Sequence, residues 1–528
     1  MTNDDLPSEI EEYTTVHTQR RRLLPRAALV GLAAGLLASL FRLSLAGADG
    51  ARNALIGWAH RFPAAGWLFP VLFGAAGAAV SLWLVRTYSP EAKGSGIPHL
   101  KAVAYRFRVM DWRRLLPIKF VAGVLAIGSG LALGREGPTV QMGGATGDMV
   151  AGWLKAAPGE RRTLIAAGAG AGLAAAFNAP LSGLTFVLEE VQRDFHPIVF
   201  AATFVACVIS DIVARALTSA DPVFSVPSYP AQPLGTLPFF ALLGVAAGLT
   251  GVLFSRGLIT ALNRFGRATA NLRFGIAALA GAAAGITGWF YPFAVSGGQV
   301  LSEAALAGKL VAGSIPLWFL LRYGLTVLSY GTGTAGGIFA PMLALGAPVG
   351  LGVGQAGHAL APQVVTQPAV FAVVGMAAYF TAVVRAPLTG ILLIVEMTGS
   401  YAQMLPLLVA CFCAYATAEL LKALPIYEEL LERDLSSGDE SYSLKAPLIL
   451  DLTIEPGSPF EGQVVRSLGL PPGCVLVRVV SGGRELVPTA STRLEAYNKI
   501  TAVIAPEAER GVERLREGCK ARKKAAGE

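Results

Sequence analysis

Polar and apolar positions along this chain separate into long blocks instead of alternating. From Ala27 to about Leu424 apolar runs follow one another, interrupted mostly by Gly and Pro and seldom by charge. Runs such as 120–133, 142–154, 164–177 and 181–188 are shorter than the ~20 residues a perpendicular membrane span needs. A bilayer tolerates broken helices only where protein or a water-filled cavity lines the break. Short segments interrupted by Gly and Pro therefore predict a transporter or channel with its site near the midplane. The pattern predicts an all-α polytopic membrane body of broken, tilted helices over 27–432, preceded by a leader at 1–26. Past this body the pattern changes. Residues 433–447 read as a charged, Ser-rich linker. Strand-like runs at 448–454, 475–480 and 500–504, a short helix from Pro459 and a hairpin turn at Gly482–Gly483 predict a small α+β domain over 448–506. Residues 507–528 read as a charged helix and tail.

Composition sharpens the class. Of 528 residues 53% are hydrophobic and 15% charged, where a soluble domain carries about 25% charge. Glycine numbers 61, about 12% of the chain against the usual ~7%. These values exclude a soluble enzyme, a disordered chain and a fibrous one. Lys and Arg number 43 and Asp and Glu 35, and half of them fall in residues 1–26 and 428–528. Arg20, Arg21, Arg22 and Arg26 precede the first apolar run and place the N-terminus in the cytoplasm. The net charge of +8 follows this positive-inside bias; nucleic acid is not an expected partner. No small-residue cleavage site follows the run, so it reads as a retained helix. The five cysteines form no CxxC pair and the five histidines are dispersed, so no metal or cofactor is expected.

The apolar body repeats itself. Residues 179–189 read APLSGLTFVLE and residues 386–396 read APLTGILLIVE, an offset of 207 that also carries Gly168 onto Gly375. Upstream, GREGP at 134–138 and GGIFAP at 336–341 place Pro138 and Pro341 203 apart. Two halves, about 27–220 and 230–432, follow, and the residues alone leave open whether they run parallel or inverted.

Four segments carry candidate chemistry: Gly94-Ser95-Gly96-Ile97-Pro98, Gly134-Arg135-Glu136-Gly137-Pro138, Gly337-Ile338-Phe339-Ala340-Pro341, and Tyr427 in LPIYEELL. Three share one design, a glycine loop followed by a proline that opens an apolar helix. Proline suits the first helical turn, where its missing N–H had no partner. The neighbouring N–H groups stay free and the helix dipole adds positive character there. Several such ends converging bind an anion without a full positive charge, as a conductor that must also release its ion requires. A carboxylate in a membrane interior is costly and usually functional; Glu136, among amides that could hold an anion, and Glu190, at a helix end beside a charged stretch, are candidates. Ionised, Glu136 can take the anion site itself; protonated, it must leave. Simpler readings stand beside these: a dipole-facing carboxylate for Glu136, a salt-bridged helix end for Glu190, a loop cap for Ser95, an interfacial aromatic for Tyr427. Glu189 has a counterpart, Glu396, and reads as scaffolding. Arg135 is expected to order its loop by hydrogen bonding, and Lys119 either tunes the anion or pairs with a carboxylate. No G-x-S-x-G, HExxH or P-loop lysine is present, so an enzyme is not expected.

The four segments in this order, with FNAPLSGLTFVLEE at 177–190, resemble the CLC family of chloride channels and chloride/proton antiporters over about residues 27–432. The resemblance implies two inverted-topology repeats and a homodimer with one pore per subunit in the inner membrane, both termini cytoplasmic. It implies a central chloride held by the Ser95 hydroxyl, the N–H groups of Ile338 and Phe339, and the Tyr427 hydroxyl. Glu136 would be the external gate and Glu190 the internal proton acceptor. Secondary-active exchange of chloride for protons is the leading reading; a passive, glutamate-gated chloride channel is the alternative. Two positions depart from the family pattern: His99 and Lys101 stand where many relatives carry glutamate. His99 reads as a solvated loop residue, with a pH sensor as the sharper alternative. Residues 448–506 resemble the C-terminal regulatory domain of TrkA-type potassium transport proteins. That implies either a cytoplasmic module with a small-molecule ligand or a dimerising domain with none.

Overall fold

The break in the apolar pattern after residue 427 corresponds to a division of the chain into two compact units, one of Met1–Ala104 and Met110–Leu435, the other of Tyr105–Val109 and Ser436–Glu528. The structure, a computed structural model, describes residues 8–436, 448–508 and 510–520 except Pro63, Arg106, Asp194, Ser225, Ser228, Gly482 and Gly483. Residues 1–7 of the expected leader, 437–447 of the linker, 521–528 of the tail and the Gly482–Gly483 turn lie outside the described residues.

In the first unit the helices are α1 (Ser8–Ala59), α2 (Leu68–Tyr88), α3 (Ile97–Ala104), α4 (Trp112–Gly128), α5 (Glu136–Trp153), α6 (Pro158–Phe177), α7 (Pro180–Phe186) and α8 (Pro197–Leu217). After an irregular stretch come α9 (Leu237–Gly266), α10 (Ala270–Phe290), α11 (Gln299–Leu306), α12 (Ile315–Gly331), α13 (Phe339–Leu360), α14 (Val370–Val384), α15 (Pro387–Thr398), α16 (Met404–Leu420) and α17 (Ile426–Ser436). Among the described residues six helices are long and apolar enough to cross a membrane, from Arg21–Ala59 to Phe339–Leu360. The expected leader is not a separate segment: α1 begins at Ser8 and continues without a break into the first span. Leu29, Leu36, Leu40 and Phe412 lie exposed on outer faces, as an apolar surrounding allows.

The repeat is built from matched local geometry. Asn178 ends α6 and Arg385 ends α14, both left-handed, at φ 52° and 68°, a common way to stop a helix. In each half an Ala-Pro pair then opens the next helix, α7 or α15. A Cβ on Gly168 would fall 2.2 Å from Gly143 O, and one on Gly375 2.5 Å from Gly346 O. Only glycine lets α5 meet α6, and α13 meet α14, at that distance. The two offsets of the sequence, 203 and 207, are thus the two partners of one contact.

The halves also grip each other reciprocally. Leu388 N–H and Thr389 N–H donate to Glu189 at 3.1 and 2.7 Å, while Leu181 N–H and Ser182 N–H donate to Glu396 at 3.0 and 2.8 Å. Every partner is offset by 207. At the centre, Gly134 and Gly337 exchange both backbone hydrogen bonds, at 2.7 and 2.8 Å, as an antiparallel pair. Equivalent segments that pair antiparallel are related by a two-fold axis across the chain, so the halves run in opposite directions. This is the relation that inverted repeats have.

The second unit holds a four-stranded antiparallel sheet in the order β1-β4-β2-β3, made of β1 (Leu448–Thr453), β2 (Cys474–Ser481), β3 (Arg484–Leu486) and β4 (Lys499–Ile504), followed by α18 (Arg510–Cys519). Ile500, Ala502 and Ile504 alternate inward from β4 and pack with Ile454, Phe460 and Leu515. The helix expected from Pro459 is absent: that stretch is turns and one 3-10 turn at Val465–Ser467. Gly462 and Gly469, both at positive φ, interrupt it before a helix can propagate.

Candidate functional site

Three glycine loops meet in the first unit, and each feeds a helix. The first is sewn to the third by Gly94 N–H to Thr334 O and Gly336 N–H to Gly94 O, both 3.0 Å. The second is sewn to the third by the Gly134–Gly337 pair. The N-termini of α3, α5 and α13 are thereby brought together, with their dipole-positive ends and first-turn N–H groups toward one place. Gly96, at φ 80°, permits the turn; a Cβ there would fall 2.0 Å from the Gln141 side chain. Lys119 is fully buried and donates from Nζ to Ala92 O at 2.9 Å and Gly94 O at 2.7 Å. The expected carboxylate pair does not form among the described residues: Lys119 fastens the first loop, next to Ser95, through these two carbonyls.

Ser95 is buried. Its N–H points to Tyr330 Oη at 3.4 Å, and its Oγ accepts from Ile97 N–H at 3.4 Å. Tyr330, on α12, went unrecognised in the sequence, because a tyrosine inside an apolar helix carries no local signal. Ile338 caps α13 and Phe339 opens it, where a helix has no carbonyl to offer their N–H groups. The Phe339 ring is clamped by Phe177 at 5.3 Å and Phe380 at 4.6 Å, which fixes that N-terminus. Tyr427, on α17, is fully buried and its hydroxyl has no hydrogen-bond partner among the described residues. A buried unpaired hydroxyl is costly, so this one suits a ligand.

The Glu136 carboxylate is buried. Oε2 accepts the N–H of Ala340, in the first turn of α13, at 3.3 Å, and Oε1 lies 3.8 Å from Arg135 Nε. The side chain thus lies where α13 offers N–H groups to an anion. On its other side is a cavity of about 400 Å³, lined by Arg42, Arg52, Arg135, Glu136, Phe177 and Ala340 among others. Arg135 ties its loop down by hydrogen bonding: Nη2 donates to Ala176 O at the end of α6, at 3.3 Å.

Glu190 lies in a π-turn at Val187–Val191, directly after α7. It is 1% exposed and stands one residue before the end of that turn. Lys101 Nζ donates to it at 2.7 Å. His99 is likewise not a solvated loop residue: it lies in α3, is 5% exposed, and has Gln141 Nε2 3.2 Å from Nδ1 and Glu91 Oε2 3.5 Å from Nε2. Glu189 is a scaffold residue by the contacts given above.

Broken helices in inverted repeats, three glycine loops that bring helix N-termini together, and a buried carboxylate beside them define a membrane transport protein. Residues 77–419 match the family model described as voltage gated chloride channel. The chain belongs to that family, the CLC family. It is 39% identical over 421 residues to the H(+)/Cl(-) exchange transporter ClcA of Vibrio parahaemolyticus, covering 79% of this chain and 90% of that protein. It is 41% identical over 377 residues to the transporter of the same name from Vibrio cholerae, covering 70% and 81%. Among solved structures it matches a slow cyanobacterial Cl-/H+ antiporter with a TM-score of 0.77 at 37% identity, covering 79% of this chain and 99% of that one.

Proposed function

We propose that this protein exchanges chloride for protons across the inner membrane by secondary-active transport. The observation that carries the reading is the Glu136 carboxylate on the Ala340 N–H at the opening of α13. Chloride in this reading is held by the Ser95 hydroxyl, the N–H groups of Ile338 and Phe339, and the Tyr427 hydroxyl. The loop residues Gly94, Gly96, Ile97, Pro98, Gly134, Arg135, Gly137, Pro138, Gly337, Ala340 and Pro341 shape that site. Glu136 is the external gate: ionised, it competes with chloride for the same donors; protonated, it withdraws and carries the proton out. Glu190 receives protons from the cytoplasmic side. Two buried carboxylates, one at the anion site and one beyond it, favour exchange over a passive channel, which needs only the gate. No reaction chemistry is assigned to the site.

The protein works as a homodimer with one pore per subunit, both termini in the cytoplasm, and residues 448–506 as a TrkA-C-like regulatory module for a small ligand. The separate core of the second unit supports the last of these. The test is chloride flux from liposomes under an imposed gradient with external pH recorded. Linked proton movement that Glu190→Ala abolishes while chloride flux persists fits exchange. Chloride flux without proton movement in the unmutated protein would establish the channel instead.

A further inference from the structure

A lysine with no exposed surface is tolerated only with close partners, because burying an unpaired ammonium is costly. Lys101 lies one turn into α3 and is 0% exposed. Its Nζ is 2.7 Å from Glu190 Oε1 and 2.7 Å from Glu428 Oε1. Arg193 closes the group: its Nη2 is 2.9 Å from Glu428 Oε1 and 3.9 Å from Glu190 Oε2. Exposure rises along the chain of partners, from 1% at Glu190 to 22% at Glu428 and 43% at Arg193. The groups facing Glu190 are therefore Lys101 from α3, Tyr427 and Glu428 from α17, and Arg193 from the segment after the π-turn. The buried stretch of α6, residues 163–177, and α7 carry no charged side chain. Two carboxylates share one buried ammonium, and only one of them is near water.

We propose, resting on the exchange reading above, that Lys101 is a positioning residue that sets the pH at which Glu190 takes up a proton, with Glu428 competing for the same ammonium. The physical argument is a partner exchange. A proton arriving at Glu190 displaces the ammonium as its counter-charge. Lys101 is not stranded, because Glu428 already holds it at the same distance, so the protonated state leaves no unpaired buried charge. Removing the ammonium leaves Glu190 and Glu428 as like charges in one site, with the partly exposed Arg193 closer to Glu428 than to Glu190, which favours the protonated form of Glu190. Removing the charge of Glu428 does the reverse, because the ammonium then serves Glu190 alone and the repulsion between the carboxylates is gone.

The experiment uses full-length protein in liposomes, with linked proton flux measured against pH at a fixed chloride gradient. In Lys101→Met the pH of half-maximal proton flux rises by about one unit, a tenfold change in proton concentration. In Glu428→Gln it falls by about half a unit. Lys101→Arg, which keeps the charge, stays at the unmutated value. Chloride flux in each variant reports the fold. A purely structural role for Lys101 would lower flux or yield without moving the two midpoints in opposite directions. The inference is overturned if both midpoints stay in place or move the same way. If Lys101→Met fails to fold, Glu428→Gln decides, and its midpoint must fall. A loss of this inference alone is a coupled protein with unmoved midpoints. An unmutated protein that moves chloride with no linked protons sinks the exchange reading as well.

Discussion

If the Glu136 carboxylate competes with chloride, removing its charge must tighten chloride binding. The perturbation is Glu136→Gln, which keeps the size of the side chain. The interaction at stake is one hydrogen bond from Ala340 N–H to an ionised oxygen, at 3.3 Å. Charge-assisted hydrogen bonds contribute about 1.5–3 kcal/mol, and the length of this one places it at the lower end. About 1.5 kcal/mol corresponds to a side chain that holds the site roughly ten times as often as it leaves it. Chloride titrating the unmutated protein must displace it, so the apparent Kd is raised by about that factor. Glu136→Gln is therefore expected to bind chloride about tenfold tighter at pH 7, by calorimetric titration in detergent. Acid should act on the unmutated protein as the substitution does, tightening binding as the carboxylate takes a proton, and should leave Glu136→Gln unchanged. Equal Kd values for the two proteins at pH 7 would refute the reasoning, because the carboxylate would then not occupy a place that chloride uses.

Tyr427→Phe deletes a hydroxyl that has no partner among the described residues, so thermal unfolding should be unchanged while chloride affinity falls about tenfold, the contribution of one donor to an ion. Glu189→Ala and Glu396→Ala each strand two backbone N–H donors and one side-chain hydroxyl; each should lose about 2 kcal/mol of stability, read as detergent-unfolding midpoints, with the chloride-to-proton ratio of the folded fraction unaltered. Gly96→Ala puts a Cβ on the Gln141 side chain at a backbone angle that costs an L-residue about 1–2 kcal/mol by itself, and should abolish folded protein in size-exclusion chromatography.

The loops were legible in the sequence because glycine and proline act locally: a positive φ or a helix-opening proline has one main use wherever it occurs. The scaffold role of Glu189 was legible because its repeat mate Glu396 stands at the same offset. What sequence did not reveal is what only three-dimensional proximity creates. Tyr330 reaches Ser95 across 235 positions. His99 looked solvated because it follows a Gly-Pro loop, yet residues 94–100 are all buried. The surroundings of Lys101 were equally hidden, since its partners lie 89 and 327 residues away. The helix expected from Pro459 failed for a local reason, the glycines at positive φ that follow it.

The inverted repeat also says where proton chemistry can be sought. The two-fold axis relates one pair of structural carboxylates, Glu189 and Glu396, each holding the other half's helix N-terminus, while Asp148 and Asp211, ion-paired to Arg161 and Arg215, are structural without a mate. A directional exchanger needs carboxylates that the axis does not duplicate. With the upstream offset of 203, Glu136 falls on Phe339; with the downstream offset of 207, Glu190 falls on Met397. Phe339 is locked between aromatic rings and Met397 is buried, so neither position can take up or release a proton. The first half thus supplies both ionisable side chains, while the second supplies the amide that Glu136 accepts from. Placing a carboxylate at position 339 would restore the symmetry by setting a second anion against the helix N-termini. Phe339→Glu should therefore bind chloride more weakly than the unmutated protein at neutral pH and regain affinity on acidification, and a variant whose chloride affinity is indifferent to pH would contradict this account of the asymmetry.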